Sequence, residues 1–522
     1  MSQLGALPLA LLALLLAHST LAKKTPVSPP AEPPIDYESL ENVCDLVDMV
    51  ETVFCYCDFL ERGEGETANC LVYNSPRASD RVWDAFYHQP NLHRLTISGR
   101  GQGGLDAVPT RALRYLRQLW ALEMKNTGIT NVTEDAFGRS ESISDLVLSG
   151  NGITELARRS FRHLTNVTRL NLGENQLRVI NRHVFVDMPR LRHLYLDRNS
   201  ITRVRSGAFV QLSELRDLDL FGNELRAVSR GTFKGLSQLR RLFLHRNQLE
   251  VIGDRTFAEL PRLTELDLSE NRIQFLGGHG LEGLGNLVKL VLRDNRLTQL
   301  QPATFSHTPG VFYLSLQQNR LQTLEQATFR PIMDNMNNIT MYFYSAENTL
   351  QCDCRLAWLI RLRSRTASAH VRASLESTMC HMPRAAVPER LGGPGSGSGL
   401  ATVPELDGEE PAALLPVKLV DLKLSELPCD RPLAEEPVTE EVPRPAPQLQ
   451  KTPEVLSSPP QPARSSLTTG APPPPQSADS TAEVKLGGVG AGLGGGGDSA
   501  ASSVSVSSGL LLPLVVAAVA AR

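Results

Sequence analysis

The sequence predicts an α/β solenoid: a coil of short turns whose strands form one parallel sheet on the concave face, with a disulfide-stapled cap at each end. Three observations predict it. A 24-residue unit recurs nine times at constant spacing, apolar residues alternate through the first part of each unit, and eight cysteines stand in two groups of four just outside the repeats.

The unit is plain in "LRHLYLDRNSITRVRSGAFVQLSE", residues 191–214, and in the "LRDLDLFGNELRAVSRGTFKGLSQ" that follows it. Copies begin at Leu119, Ile143, Val167, Leu191, Leu215, Leu239, Leu263, Leu287 and Val311. A stretched copy, "LHRLTISGRGQGGLDAV", starts at Leu92, and a distorted one, "ITMYFYSAENTLQCDC", follows the last. Side chains alternate across a strand, so Leu194 and Leu196 share a buried face while His193, Tyr195 and Asp197 point the other way. One unit cannot hide its own leucines, whereas stacked units share a continuous core.

Asn151, Asn175, Asn199, Asn223, Asn247, Asn271, Asn295 and Asn319 fall where each strand ends and the chain must turn. An amide there can satisfy backbone groups that the turn leaves unpaired. Phe137, Phe161, Phe185, Phe209, Phe233, Phe257, Phe305 and Phe329 recur at one position on the far side of the coil, with Leu281 the sole replacement. They predict an apolar spine along the wider outer edge. The pattern resembles that of leucine-rich repeats.

The cysteines are Cys44, Cys55, Cys57 and Cys70 before the repeats, and Cys352, Cys354, Cys380 and Cys429 after them. Each group holds a C-x-C pair, whereas zinc ribbons and redox sites use C-x-x-C. Residues so close cannot readily bond to each other, because their side chains diverge. Each therefore reaches outward. The expected pairing is Cys44 to Cys57, Cys55 to Cys70, Cys352 to Cys380 and Cys354 to Cys429. A solenoid exposes core at both ends unless something covers it, and these groups are placed to do so. The layout resembles the flanking caps of extracellular leucine-rich-repeat proteins over about residues 41–430. It departs in the long stretch between Cys380 and Cys429, which includes "GGPGSGSG" and points to an insertion in the cap.

The two ends speak of secretion. "LGALPLALLALLLA", residues 4–17, is an apolar run too short for a comfortable span, and Ala22 stands at a signal-peptidase site. After Cys429 the chain turns to Pro, Ser, Thr and Glu with little apolar bulk, the composition of an extended stalk. Small residues at Gly497 to Ala501, a polar spacer and an apolar end at 509–521 follow the order of a GPI-attachment signal, with Ser499 or Asp498 as the anchor site. A single span reaching back to Val504 would take in serines and Pro513, and ranks second.

The organisation expected is therefore a signal peptide at 1–22, a Pro-rich linker at 23–40, an N-terminal cysteine cap at 41–75 and repeats at 76–350. A C-terminal cysteine cap with a long insertion at 351–430, a disordered stalk at 431–498 and a GPI-attachment signal at 499–522 complete it.

A formal net charge of −3, from 53 Lys and Arg against 56 Asp and Glu, gives no field that would favour nucleic acid. There is no H-E-x-x-H, no G-x-S-x-G and no Gly-rich phosphate loop after a strand, so neither an enzyme nor a cofactor or metal site is expected. What remains is a broad strip of strand side chains about 50 Å long for eleven strands. Along its middle lie Tyr195, Phe221 and Phe243 among Asp219, Arg241 and His245, the residue types that binding hot spots favour. Sequons at Asn131, Asn166 and Asn338 lie off the strand face. The "GSGSG" at 395–399 reads as a flexible loop before it reads as a glycosaminoglycan site on Ser396 or Ser398.

The full layout resembles the connectin-type cell-adhesion proteins of insects. That resemblance implies adhesion to a protein on an opposing cell, including a second copy of itself, with the membrane held through a GPI anchor. A co-receptor for a secreted ligand and a matrix proteoglycan are the other readings.

Overall fold

The computed structural model describes residues 36, 39–45, 52–59, 65–100, 103–392 and 414–429. The expected signal peptide, stalk and anchor signal, with Ser396, Ser398, Asp498 and Ser499, lie outside them.

Among the described residues thirteen strands form one sheet in chain order. The first two are a hairpin, β1 (Val53–Phe59) and β2 (Gly65–Val72). Then come β3 (Arg94–Gly99), β4 (Ala121–Lys125), β5 (Asp145–Val147), β6 (Arg169–Asn171) and β7 (His193–Tyr195). They are followed by β8 (Asp217–Asp219), β9 (Arg241–Phe243), β10 (Glu265–Asp267), β11 (Lys289–Val291), β12 (Tyr313–Ser315) and β13 (Tyr342–Tyr344). From β2 onward every pairing is parallel, and the register follows the repeat: Leu194 lies opposite Leu218, and Leu218 opposite Leu242. The eleven repeat strands are as the spacing requires. The cap hairpin adds two more, so the N-terminal cap extends the sheet as well as closing the core.

Leu194, Leu196, Leu218, Leu220, Leu242 and Leu244 are fully buried between neighbouring coils. Shortly after each strand from β5 to β13 comes a residue of positive φ, such as Arg198 (49°), Gly222 (66°) or Arg246 (54°), which turns the chain so that the next side chain, the asparagine, enters the core. Asn199 Nδ2 donates to Leu172 O (3.0 Å) and Leu196 O (3.2 Å), and its Oδ1 accepts from Leu177 N (3.0 Å). One amide thus serves its own coil and the one before it. The ladder runs past the eight asparagines. At its start Thr127 N and Oγ1 both donate to Asn151, and at its end Asn348 Nδ2 reaches Leu316 O.

The phenylalanines stack as a spine on the opposite side, with ring centroids 5.8 Å apart for Phe137 and Phe161 and 5.6 Å for Phe233 and Phe257. Turns, short helices such as Arg230–Phe233 and two-residue strands make up that side, for example Val251–Ile252 paired with Phe275–Leu276.

Both ends of the core are covered. Cys44 bonds to Cys57, and Cys55 to Cys70, its partner across the hairpin. Trp83 and Phe86, fully buried, lie beneath, next to an ion pair in which Arg111 Nε donates to Asp84 at 2.7 Å. At the other end Cys352 bonds to Cys380 and Cys354 to Cys429. Helix α1 (Ala357–Arg365) sets Trp358 against Phe329 (5.2 Å) and fixes it with a hydrogen bond from its Nε1 to Leu324 O (2.7 Å). Helix α2 (Ala369–Ser377) and the antiparallel pair β14 (Met379–Pro383) and β15 (Leu414–Lys418) complete the cap.

Asn223→Ala removes hydrogen bonds to Leu196 O and Leu220 O and from Ile201 N, all buried. Each group left without a partner costs about 1–3 kcal/mol, so the variant is expected to lose at least ~2 kcal/mol in urea unfolding. Glu224→Ala next to it, on an exposed side chain, should shift stability by less than ~0.5 kcal/mol.

Candidate functional site

The repeat strands show side chains of two kinds to the concave face: those of the strand and one from two residues beyond its end, such as Phe221 after Asp219 and His245 after Phe243. The first column holds Asp145, Arg169, His193, Asp217, Arg241, Glu265 and Lys289 on successive coils, and from Asp217 to Lys289 its charges alternate in sign. Parallel in-register pairing brings each next to its neighbour, and the charges meet. Arg241 Nε and Nη2 clasp Asp217 at 2.6 and 2.9 Å, while His193 Nδ1 lies 2.6 Å from the other side of the same carboxylate. Lys289 Nζ reaches Glu265 at 2.7 Å. Burial pushes the Asp217 carboxyl up, but the hydrogen bonds from Arg241 and His193 outweigh it and hold the group down at about 2.

The middle of the face is different. Burial drives Asp219 up to about 7; the N–H of Phe221, 3.0 Å from its Oδ1, opposes this, and the charges of Asp197 and Asp267 add to it. Burial also raises Asp197 and lowers His245. His245 Nδ1 lies 3.8 Å from Asp267 Oδ2, beyond hydrogen-bond range, and has no hydrogen-bond partner among the described residues. Its ring lies flat on that of Phe221, centroids 4.6 Å apart and planes 3° from parallel, and the guanidinium of Arg198 covers Phe221 at 5.1 Å.

The structure therefore brings together Phe221, Phe243, His245 and Asp219. Tyr195 stands two strands from Phe243, half-buried, with the Arg169 guanidinium 5.4 Å from its ring. Two expected features change. Phe243 does not face solvent: it is 7% exposed, flanked by Asp219 and Asp267 on the adjoining strands and met edge-on by His245 at 6.3 Å. Arg241 is not free to pair outside the chain, because Asp217 occupies its guanidinium.

A second ring cluster, at the C-terminal end of the face, comprises Tyr313, Tyr342, Tyr344 and His370. Tyr313 lies 5.8 Å from Tyr342 and 5.6 Å from Tyr344, and His370 of α2 stacks on Tyr342 at 4.1 Å. The signal for the tyrosines is the alternating "YFY" of the distorted repeat; His370 carries none, since only folding of the cap delivers it. The sequons remain off this face. Asn131 lies exposed on a two-residue strand of the other side, Asn338 is exposed in a turn, and Asn166 is half-buried with its Nδ2 donating to Glu141 O at 2.7 Å.

Fold and face define a class, the leucine-rich-repeat solenoid with disulfide-bonded ends. The leucine rich repeat family model matches residues 141–201, 189–249, 237–292 and 285–332. Within that class the chain resembles connectin of Drosophila melanogaster, to which it is 45% identical over 58 residues, 11% of this chain and 8% of that protein. The matched part is thus well under two thirds of connectin's length. Among solved structures, an internalin from Listeria monocytogenes is similar with a TM-score of 0.44 and 16% identity, covering 60% of this chain and 86% of that one. A chain from the octameric complex of latrophilin 3, Unc5D and FLRT2 gives 0.39 and 20%, covering 60% and 89%. No helix among the described residues is long and apolar enough to cross a membrane.

The titrations of the face have a sign. A carboxyl whose pKa is raised by folding binds more protons folded than unfolded, so Asp219 costs stability as pH rises from its ordinary 3.8 through about 7. Asp217, lowered, works the other way: its contribution is lost only as pH falls toward about 2. Asp219→Asn keeps an acceptor for the Phe221 N–H and should melt above wild type at about pH 8, the two converging near pH 4 in calorimetry.

Proposed function

We propose that the protein is a non-enzymatic cell-surface adhesion or recognition protein that binds another protein through the concave face. The observation that carries this is the centre of the face, where rings are presented among charges already paired or suppressed. Asp217 is paired with Arg241 and hydrogen-bonded to His193, and burial raises Asp219 to about 7 and holds His245 toward its uncharged form. Such a surface gives up water at little electrostatic cost, and aromatic side chains supply contact area. The likeness to connectin supports adhesion, and the four disulfides suit a chain that folds in an oxidising compartment.

In this reading the partner is a protein on an opposing cell, with a second copy of the chain the first candidate. Nucleic acid is not a partner, no cofactor is needed, and residues 499–522 direct GPI attachment at Ser499 or Asp498. The contact rests on Phe221, His245 and Tyr195, with Phe243 supporting them from below, Asp219 between them and Arg241 beside them. Asn131, Asn166 and Asn338 carry glycans clear of it.

The test is aggregation of non-adherent cells expressing the chain. Wild-type cells should clump with one another, and treatment with phosphatidylinositol-specific phospholipase should release the protein and disperse them. Phe221→Ala and Tyr195→Ala should reach the surface normally and weaken binding by at least ~30-fold, the size of a hot-spot loss. Arg158→Ala and Arg230→Ala, on the other side of the coil, should change nothing. Normal clumping by Phe221→Ala cells would move the contact off this face. Clumping only with cells that lack the chain would make the partner a different protein.

A further inference from the structure

Opposite the concave sheet, the repeat that begins at Leu263 departs from its neighbours. Its outer turn reads "GGHGLEGLG", and Leu281 replaces the phenylalanine of the spine. This turn carries His279 and Glu282, and the next coil carries His307. Among the described residues these three form one group of metal-ligand type, their nearest donor atoms all within 4.8 Å of one another. We propose that His279, Glu282 and His307 bind a divalent transition-metal ion, with Zn²⁺ as the test ion.

The donor set is two imidazoles and one carboxylate, the chemistry that Zn²⁺, Ni²⁺ and Cu²⁺ accept and that the harder Ca²⁺ and Mg²⁺ do not. Tetrahedral bonds of about 2.0–2.2 Å place ligand atoms about 3.4 Å apart. Closing the present group to that size takes side-chain movements of roughly an ångström, within the reach of a His279 side chain that is 54% exposed and a Glu282 side chain that is 27% exposed. The two histidine rings already stand 5.7 Å apart. Three protein ligands leave a fourth position to water.

The backbone beneath is fixed. His279 N donates to Asp254 Oδ1 (2.9 Å), and Arg255 N donates to His279 O (2.9 Å), tying the turn to the preceding coil. That approach needs glycine: a Cβ at Gly277 would come within 2.4 Å of Asp254 Oδ1. Arg255 Nε lies 3.0 Å from Oε1 and 3.1 Å from Oε2 of Glu282. In the bound form Arg255 keeps one oxygen and orients the carboxylate while the other ligates. Its positive charge also opposes the cation, so the site is tuned below the affinity its ligands alone would reach.

The experiment is calorimetric titration of Zn²⁺ into tag-free, chelator-treated protein of the full secreted chain, with Co²⁺ absorption as a report of four-coordinate geometry. One equivalent should bind and give the visible bands of tetrahedral Co²⁺. His279→Ala, His307→Ala and Glu282→Gln should each weaken Zn²⁺ at least tenfold with an unchanged thermal melt, and Arg255→Gln should tighten it. Absence of saturable binding by wild type would overturn the proposal, as would wild-type affinity in the His279→Ala/His307→Ala double variant. Glu282→Gln preserves size and the contact with Arg255, so it reports on ligation even where an alanine variant disturbs the turn.

Discussion

The structure depends on one asparagine side chain per coil. A chain that wraps an apolar core in so short a coil must reverse direction inside protein, and each reversal strands backbone N–H and C=O groups away from water. The amide answers them, and it does so across two coils at once, as Asn199 does with Leu172, Leu177 and Leu196. An inserted residue would carry the amide away from the coil before it. Constant spacing is therefore enforced from inside, and the strict columns of leucine, phenylalanine and surface side chains follow.

Columns make the face what it is. In-register parallel strands set the same position of successive coils about 4.8 Å apart, so like charges there would repel and alternating ones attract. The alternation from Asp217 to Lys289 is the outcome, and much of the face's charge is paired within the chain. Beside that column, Phe221 and His245 hold the same position on successive coils, two residues past their strands, and their rings stack.

Much of this is legible in the residue order. Eight equal spacings dictate the solenoid, and an alternating strand assigns each side chain a face by parity alone. Parity says which way a side chain starts but not what closes over it, which is why it puts Phe243 in solvent whereas the ring is buried among Asp219, Asp267 and His245. The ladder's ends are hidden for a similar reason: Thr127 lacks the amide, and Asn348 falls out of step with the column that closes at Asn319. Contacts delivered by another element leave no periodic trace. His370 comes from a cap helix, and His279 and His307 sit on different coils, too far apart in sequence to show as a short motif. The cap hairpin shows its cysteines but not that it continues the sheet.

That continuation bears on how the molecule carries mechanical load. Parallel strands joined end to end along a coil come apart one at a time when pulled from a terminus, because each coil is held by its neighbours alone. Here the first neighbour is β2, and β1 is tied to it by the Cys55–Cys70 bond as well as by hydrogen bonds. At the far end Cys352–Cys380 closes the chain over the last coil in the same way. Tension entering at either end meets a covalent link before it reaches the stack. The disulfides of each cap carry that tension past the residues they enclose, so the caps give up little length under load and extension falls to the noncovalent coils between them.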